Sequence, residues 1–540
     1  MLLSNGRIYT LDPADRVVDT LVVRAGRVAF AGRRADVNPP AGEPEIDLGR
    51  RAVLPGLVDA HGHLMYLARL RLALDVAGLA SEATSAARVT DRARSARSGE
   101  WILGRGWDQN RWPGGRFPTR VSLDRAAPHH PVALVRVDGH ATWVNSAALR
   151  IAGIDRHTPD PAGGRLERDA DGEPTGVLID TAQELVRRVE PRPGPAQLED
   201  AVRAAIVDCL AVGLTGVHEM GADLDALGAY RRLAAARAFP FRNHVALRGA
   251  DPAAWQAALG EGPARDGEGR LVVEAVKLMA DGALGSRGAA LHAPYCDDPG
   301  NQGLLLLPVD ELEGRARAAA QRGFQVCIHA IGDRANTLVL DALEAVIRGR
   351  PSAAGGRLAA VPGADPRHRV EHAQILAERD IPRFQGLGIL PSMQPTHCTS
   401  DMPWTEARLG TERLPGVYAW RSLLRTGTVI AGGSDFPVEL PNPFHGIHAA
   451  VTRRPRAGPD PGWQPEQRMT RAEAVRAFTA WNAYAAHREA DLGTLEPGKW
   501  ADLVVCSSDV FTCPATEIAA IEPVLTLIAG EIVLDRRPAS

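Results

Sequence analysis

Short apolar runs rich in β-branched residues alternate with helix-like stretches through most of the chain. Eight such runs occur, from AVLPGLVDAHGH, which starts at residue 52, to GTVIAGGSDFP, which starts at residue 427. Parallel strands that are covered on both faces have this nearly continuous hydrophobicity. Eight strand–helix units predict an α/β fold of the (β/α)8 TIM-barrel type. An open doubly wound sheet is the weaker alternative, because the chain has no Gly-x-Gly-x-x-Gly phosphate loop.

Both ends of the chain contain short strand-like runs separated by turn signals. Near the start, LLSNGRIYTLD contains an Asn-Gly pair, and TLVVRAGRVAFAG has two apolar runs about an Ala-Gly turn. Near the end, PVLTLIAGEIVLD has the same pattern. Neither end has enough strands to bury a sheet face alone. Residues 1–52 and 490–540 are therefore predicted to form one small β-sandwich domain beside a barrel of residues 53–489.

The gap between the first and second predicted barrel strands is too long for a loop. It contains strand-like runs of its own, EWILGRGWDQ, PVALVRVDGHATWV and GEPTGVLID. We interpret residues 70–195 as an α+β insertion that lies over the mouth of the barrel. Later in the chain, TRAEAVRAFTAWNAYAA opens with a capping box, Thr470 to Glu473, and predicts a helix.

Composition restricts the partners and the compartment. The 540 residues carry a formal net charge of -3, which favours neither nucleic acid nor an anionic membrane as a partner. Six scattered cysteines, without a Cys-x-x-Cys pair, do not form a disulfide framework. The start of the chain does not resemble a signal peptide, and no apolar stretch is long enough to cross a membrane. We expect a cytoplasmic protein that acts on a small molecule, and a homodimer is compatible with the sequence.

Histidines stand at the ends of several predicted strands. His61 and His63 in VDAHGHL are two residues apart, so on a strand both rings project to the same side. Two neutral imidazoles that converge in this way suit a divalent metal ion, although solvated loop histidines would give the same pattern. Metal-capable or polar residues also end the other runs: His218, Glu219, Lys277, His329, Glu371, His372, Gln394, His397 and Asp435. Because barrel enzymes build their sites at the C-terminal ends of the strands, this ring predicts an active site around a metal.

The motifs DAHGH, KLMADG, HAIGDRA, RVEHAQ and GGSDFPV resemble those of the amidohydrolase superfamily. The longer segments GRGWDQNRWPGGRFPTR, VDGHATWVNSAAL, DGALGSRGAAL, MQPTHCTSDMPW and LEPGKWADLVV are similar to its amidohydrolase-3 branch, which includes YtcJ-like proteins and N-substituted formamide deformylases. The resemblance implies a barrel with a β-sandwich built from both termini. It also implies metal-dependent hydrolysis of a non-peptide carbon–nitrogen bond in an amide, an N-substituted formamide or a cyclic amide.

The resemblance also implies a ligand set and catalytic residues. The metal ligands would be His61, His63, Lys277, His329, His372 and Asp435, with Asp435 and His372 as catalytic residues. Lys277 would be carboxylated and bridge two ions, or remain an unmodified polar group beside one ion. Zinc suits a histidine-rich site with a carboxylate, and iron and manganese are alternatives. A divalent ion lowers the pKa of its water to roughly 7, so that hydroxide forms near neutrality, and Asp435 would shuttle the proton to the leaving nitrogen.

Five further residues in these motifs are candidates for substrate binding: Trp107, His140, His218, Arg287 and His397. Each has a simpler interpretation, since Trp107 could belong to the core of the insertion and His218 could be a hydrogen-bonded strand-end histidine. Fold and ligands do not fix the substrate. A deaminase, an esterase, an isomerase or a non-catalytic regulatory protein therefore stays open as an alternative.

Overall fold

The structure, a computed structural model, describes residues 1–38, 40, 42–137, 139–161, 163–348, 365–456, 458 and 462–538. The chain separates into two compact units. The barrel unit comprises Met1–Leu67 and Val202–Ser540, and the insertion unit comprises Ala68–Ala201. Among the helices in the described ranges, none combines the length and the apolar character that crossing a bilayer requires.

Eight parallel strands form the barrel, and each is hydrogen-bonded to the next one along the chain. They are β1 (Leu57–Gly62), β2 (Leu214–Ala222), β3 (Arg242–Arg248), β4 (Leu271–Met279), β5 (Gln325–Ala330), β6 (Arg369–His372), β7 (Leu390–Met393) and β8 (Ala431–Gly432). A parallel bridge between Gly62 and Phe436 nearly closes the ring. The strands are buried almost throughout, as their continuous hydrophobicity requires. The predicted (β/α)8 barrel is confirmed.

Helices follow the strands and cover the barrel. Those of the barrel unit are Leu224–Ala235, Pro252–Glu261, Val309–Gln321, Asp333–Arg348, Ile381–Leu387, Pro395–Leu409, Trp420–Arg425, Pro443–Thr452, Arg471–Ala477 and Ala480–Ala485. Two more helices, Leu64–Leu72 and Pro195–Ala211, run across the boundaries between the units. The capping box of Thr470 and Glu473 is present, but the helix predicted from it breaks after Ala477 and resumes at Ala480.

The apolar run from residue 52 to residue 63 is two strands rather than one. Ala52–Pro55 pairs with the C-terminal strand Leu503–Cys506, and the chain enters β1 only after Gly56. The N–H of Gly56 donates to the carbonyl of Asp502 (2.8 Å). The first barrel strand is therefore a direct continuation of a strand of the terminal domain.

Two sheets built from both ends of the chain form the terminal β-sandwich. One has the order Arg27–Gly32, Thr20–Arg24, Leu2–Ser4, Glu45–Asp47. The other has the order Glu531–Asp535, Pro523–Ile528, Leu503–Cys506, Ala52–Pro55, Arg7–Tyr9, Val17–Val18. Leu3, Leu21, Val53 and Leu525 belong to one core shared by both sheets. The predicted sandwich is confirmed.

The Ala-Gly turns of the sandwich connect paired strands, whereas the Asn-Gly pair does not. Ala25 and Gly26 both have positive φ (46° and 77°) in the turn of the hairpin that joins two neighbouring strands. The same geometry recurs at Ala529 and Gly530. Asn5 also has a positive φ of 56°, but the strands before and after it lie in different sheets. This turn therefore moves the chain from one layer to the other.

The insertion unit is an α+β fold, in agreement with the prediction. Its sheet has the order Gly164–Arg168, Pro174–Asp180, Ala141–Val144, Val132–Arg136, Ile102–Trp107, Leu74–Asp75. Its helices are Glu82–Ser95, Arg120–Ala126, Ser146–Ala152 and Glu184–Arg187. Apolar clusters built on strand and helix residues, among them Trp143 and Leu149, stabilise it.

Candidate active site

The two ends of the barrel sheet meet beside His61. The carboxylate of Asp59 on β1 accepts hydrogen bonds from the N–H of His61 (3.0 Å) and from the N–H and hydroxyl of Ser434 (3.0 and 2.6 Å). The N–H of Asp435 donates to the carbonyl of His61 (2.6 Å). These bonds tie the segment after β8 to the end of β1, and so they bring the Asp435 carboxylate next to His61 and His63.

A buried ion pair orients the ring of His61. Nδ1 of His61 lies 2.6 Å from Oε2 of Glu371, and Nε of Arg369 lies 2.8 Å from Oε1 of the same carboxylate. Burial raises the pKa of Glu371, but the charge of Arg369 and the bond to His61 outweigh it and hold this pKa below its usual value. The ionised carboxylate can only accept, so the imidazole carries its proton on Nδ1 and leaves the Nε2 lone pair free.

His372 is held in the same tautomer by an amide. The side-chain N–H₂ of Gln394 donates to the carbonyl of Ser392 (3.2 Å), which directs its oxygen to Nδ1 of His372 (2.8 Å). Nε2 of His372 is therefore left without a proton. His372 and Asp435 both have positive φ values, 73° and 60°, a conformation that costs about 1–3 kcal/mol for a residue other than glycine. Such strain is typical of functional sites.

Three of the residues predicted as metal ligands bring their donor atoms together, and His63 and His329 lie beside them. One ligand atom from each of His61, His372 and Asp435 lies within 4.8 Å of the other two. Nε2 of His63 lies 2.9 Å from Oδ1 of Asp435, and Nε2 of His61 lies 3.5 Å from it. The ring centroids of His329 and His372 are 4.5 Å apart.

Several atoms at this point are buried and unsatisfied. Within the described ranges, Oδ1 of Asp435, Nε2 of His329 and Nε2 of His397 make no hydrogen bond of good geometry. Oδ1 of Asp435 and Nε2 of His61 are both acceptors, so their approach to 3.5 Å brings two lone pairs together. A divalent cation satisfies such a set of nitrogen and carboxylate donors, so the residues present fit a metal ion.

The protonation states of the histidines suit the same role. Burial, reinforced by the charge of Lys277, lowers the pKa of His61 to about 4 and that of His329 to about 3. Burial also holds the pKa of His372 well below its usual value. Neutral imidazole is the form that ligates metals. Burial raises the pKa of Asp435, but Nε2 of His63, 2.9 Å from its Oδ1, helps to hold this pKa below its usual value, so the carboxyl is ionised.

Lys277 lies on β4 and is buried. Burial lowers the pKa of its amine, and the negative charges of Glu371 and Asp435 oppose this shift. Its charge is close enough to lower the pKa of His61 and His329 in turn. The lysine therefore shares the electrostatic environment of the histidine cluster, with an increased fraction of neutral amine.

His63 stands at the start of a helix that a buried carboxylate caps. Oε2 of Glu219, at the end of β2, accepts from the N–H groups of Leu64 (2.5 Å) and Met65 (3.3 Å) and from the hydroxyl of Tyr230 (3.1 Å). Acceptors at this position satisfy the free N–H groups of a helix start. Glu219 thus fixes the backbone next to His63.

The predicted substrate-binding residues of the barrel unit differ in their surroundings. His397 stacks on His372, with ring centroids 6.0 Å apart, and its Nε2 lies 3.8 Å from Asp435. His218 is buried, and its Nδ1 accepts from Arg369 (2.9 Å). Arg287 makes a two-pronged ion pair with Asp297 at 3.1 and 3.0 Å. Of these three, only His397 contacts the histidine cluster with a free nitrogen.

Trp107 and His140 belong to the insertion unit. Trp107 is fully buried, and its Nε1 donates to the carbonyl of Leu134 (2.7 Å). This is the packing of a core residue, the alternative interpretation of this tryptophan. His140 is exposed, and its Nδ1 lies 2.9 Å from Oδ1 of Asp180.

Sequence analysis assigned no role to three buried charged residues that organise the site. Glu371 was noted only as a strand-end residue, while Arg369 and Asp281 were not singled out. Asp281 accepts from three N–H groups, those of Ala290 (2.9 Å), Ile331 (3.0 Å) and Gly332 (2.9 Å), and so ties the loops after β4 and β5 together. Burial raises its pKa to about 7 against these bonds. A signal was present in RVEH, because two charges two residues apart on a buried strand need each other or a polar neighbour.

Comparison with known proteins agrees with this architecture. A model of the amidohydrolase family matches residues 44–534. YtcJ of Bacillus subtilis is 35% identical over 98% of this chain and 98% of its own length. The N-substituted formamide deformylase of Arthrobacter pascens is 29% identical over 99% of this chain and 98% of its own length.

A solved structure extends the likeness to three dimensions. An uncharacterized metal-dependent hydrolase from Pyrococcus horikoshii superimposes with a TM-score of 0.78 at 27% identity, covering 95% of this chain and 98% of the other. Family match, relatives and fold therefore lead to one conclusion. The chain belongs to the amidohydrolase family and is a metal-dependent hydrolase.

Proposed function

We propose that this protein hydrolyses a non-peptide carbon–nitrogen bond in an amide, an N-substituted formamide or a cyclic amide. The main support is a cluster of buried nitrogen and oxygen atoms at the C-terminal ends of the strands, several of which lack hydrogen-bond partners among the described residues. The formamide class is favoured within this range because a relative that matches nearly the whole chain is an N-substituted formamide deformylase.

The residues that would hold a divalent ion are His61, His63, His329, His372 and Asp435. Zinc suits this donor set best. When bound, such an ion supplies Lewis acidity, which polarises a carbonyl and makes a water molecule more acidic. Four imidazoles and one carboxylate are the nitrogen and oxygen donors that this role requires.

Asp435 moves the proton in this proposal. Its carboxylate is ionised, so it can accept a proton from the attacking water as the water oxygen bonds to the carbonyl carbon. The same carboxyl then donates that proton to the nitrogen as the carbon–nitrogen bond breaks, and the nitrogen leaves as an amine. For a formamide, the products are formate and the free amine.

Hydrogen bonds fix the orientation of the His61 and His372 rings. Glu371 and Gln394 hold the proton of each ring on Nδ1, which aims the unprotonated Nε2 away from these partners. A fixed tautomer removes the need to reorganise the ring before it binds an ion. Arg369 keeps Glu371 ionised and thus supports His61 indirectly.

Lys277 is the residue proposed to carry a carboxylate. Its neutral amine would attack CO₂, forming a nitrogen–carbon bond and releasing one proton, and the product would offer two oxygens to bridge two ions. Burial favours the neutral amine that this reaction consumes. With an unmodified Lys277, the site would hold one ion.

The test combines metal analysis with a screen of formamides and amides for release of formate or amine. We expect chelation to abolish turnover and added zinc to restore it. Asp435→Asn should lower kcat by about 10²–10⁴-fold, far more than it lowers metal content, because it removes the proton carrier. Asp91→Asn, a surface variant with the same charge change, should behave like the parent protein.

Two results would refute the proposal. One is an Asp435→Asn protein with unchanged kcat. The other is a protein saturated with metal that releases neither amine nor acid from any carbon–nitrogen substrate in the screen.

A further inference from the structure

A cavity lies at the opposite ends of the barrel strands from the histidine cluster, where β1 to β4 begin. One wall is formed by the first residues of these strands, among them Val58, Thr215 and Val272. The other wall comes from the segment after the barrel and includes Asn482 and Trp500. The cavity has a volume of about 40 Å³, which is room for roughly three water molecules or one small ion.

Nine polar or charged side chains that line this cavity are more than nine-tenths buried, and four of them carry atoms without a hydrogen-bond partner: Arg242, Asn243, His244 and Arg488. Within the part of the chain that the structure describes, both amide atoms of Asn243 and both ring nitrogens of His244 lack a hydrogen-bond partner. The same holds for Nη1 of Arg242 and Nε of Arg488. A buried polar atom without a partner is costly, so six such atoms on residues that line one cavity indicate that a polar guest completes them.

The charges around the cavity are unequal. Arg242 is paired with the buried carboxylate of Asp502, at 2.9 Å between Nη2 and Oδ1. Arg488 instead donates to the carbonyl of Gly269 (2.9 Å), and the carboxylate of Asp491 is 3.9 Å from its Nε and is 37% exposed. Burial lowers the pKa of Arg488, which reflects a guanidinium that is poorly compensated. The site therefore has one buried positive charge in excess.

The unpartnered atoms are mostly donors. Arg242, Arg488 and Asn243 offer N–H groups, and a neutral His244 adds one more. Burial lowers the pKa of His244 to about 3, so its ring is neutral near pH 7. We propose that this cavity is a binding site for one small monovalent anion, of the size of chloride or formate. The anion would accept from the guanidinium of Arg488 and the amide of Asn243 and would neutralise the excess charge.

The experiment uses the full-length holoenzyme and the halides themselves as probes. Crystals soaked in sodium bromide should give an anomalous peak in the cavity beside Arg488. In solution, sodium chloride or sodium formate should raise Tm by about 2 °C over sodium gluconate at equal ionic strength, and the rise should saturate in the millimolar range. The rise in Tm with chloride and the rise with formate, compared at equal concentrations, show which of the two anions the cavity binds more tightly.

Arg488→Gln should abolish both the bromide peak and the saturable rise in Tm. Arg94→Gln, which removes a charge from an exposed helix surface, is the matched control and should keep both. His244→Phe provides a second variant if Arg488→Gln does not fold, and it should weaken the saturable rise. Density for water alone in the cavity, or a rise in Tm that grows linearly with salt up to molar concentrations, would overturn the proposal.

Discussion

The histidines of the barrel and the tryptophans of the insertion unit each form a cluster of aromatic rings. The two clusters differ in whether their ring nitrogens have hydrogen-bond partners. The three indole N–H groups of Trp107, Trp112 and Trp143 donate to backbone carbonyls at 2.7, 3.0 and 2.9 Å. In the barrel, Nε2 of His329 and His397 are buried without a partner in the described residues.

This difference shows which observation separates a core from a site. Ring contacts are alike in the two clusters, with centroids 6.1–6.3 Å apart among the tryptophans and 4.5–6.0 Å apart among the histidines. Buried polar atoms in a core are paired within the protein, whereas those in a binding site are left to pair with a ligand. The comparison can be tested by removing members of each cluster.

The largest effect is expected from His61→Ala. The change removes a nitrogen donor and leaves Glu371 without its imidazole partner, so metal content should fall and kcat/KM should drop by more than about 100-fold, the upper range for losing only an outer partner of a ligand. Metal analysis and turnover measure this effect. Normal metal content in a folded His61→Ala protein would remove His61 from the ligand set.

Trp143→Ala should act on stability instead. Loss of a fully buried indole should lower the free energy of unfolding by about 3–5 kcal/mol. The metal-to-protein ratio of the folded fraction should stay constant. Phe117→Ala, at the exposed edge of the same cluster (37% exposed), should cost much less in urea unfolding. If Trp143→Ala lost activity without losing stability, the tryptophan cluster would be functional.

Glu371→Gln should have an intermediate effect. A neutral amide no longer compensates Arg369 and holds the Nδ1 proton of His61 less firmly, so metal affinity should fall by about 10–100-fold. Competition with a chelator of known affinity measures the change. Glu378→Gln, at an exposed carboxylate on the same connection, is the control, and equal affinities for both variants would contradict the orienting role of Glu371.

The smallest effect concerns a buried histidine whose hydrogen bond is satisfied. Nδ1 of His368 accepts from the N–H of Val326 (3.1 Å), and burial lowers its pKa to about 4. The unfolded chain binds this proton below about pH 6.5, so the contribution of His368 is fully present above that value and is lost as the pH falls towards 4. It should amount to about 1–3 kcal/mol.

Chemical denaturation of the parent and of His368→Gln between pH 7 and pH 4 measures this contribution. The stability of the variant should depend less steeply on pH over this range. Identical slopes would mean that His368 is accessible to protons in the folded protein.

The sequence predicted those parts of the fold that depend on local pattern. All eight apolar runs of the barrel contain a strand, because strands buried on both faces are hydrophobic along most of their length. The run from residue 52 to residue 63 was assigned to one strand, since Pro55 and Gly56 alone do not reveal that the chain passes from one domain to another. Similarly, the turn at Asn5 has the sequence of a hairpin but connects two sheets, because the strands before and after it pair with other strands rather than with each other.

The residues proposed to bind the metal could be predicted from the sequence, whereas the residues that orient them were harder to predict. Histidines at strand ends stand out in the sequence because they interrupt apolar runs. The partnership of His61 with Glu371 joins residues 310 positions apart, and no local pattern specifies it. Trp107 shows a different difficulty. It lies in a motif-rich segment and was a candidate for substrate binding, but its side chain packs in the core of the insertion unit.

The direct passage from Ala52–Pro55 into β1 has a consequence for biosynthesis. The partner of that strand, Leu503–Cys506, is synthesised only after all eight barrel strands. Until then the nascent chain carries an unpaired edge next to the strand that ends at His61, and such edges favour aggregation. We therefore expect the barrel to gain this anchor only after Leu503–Cys506 has been synthesised, and truncation before residue 503 to leave the strand that carries His61 without it.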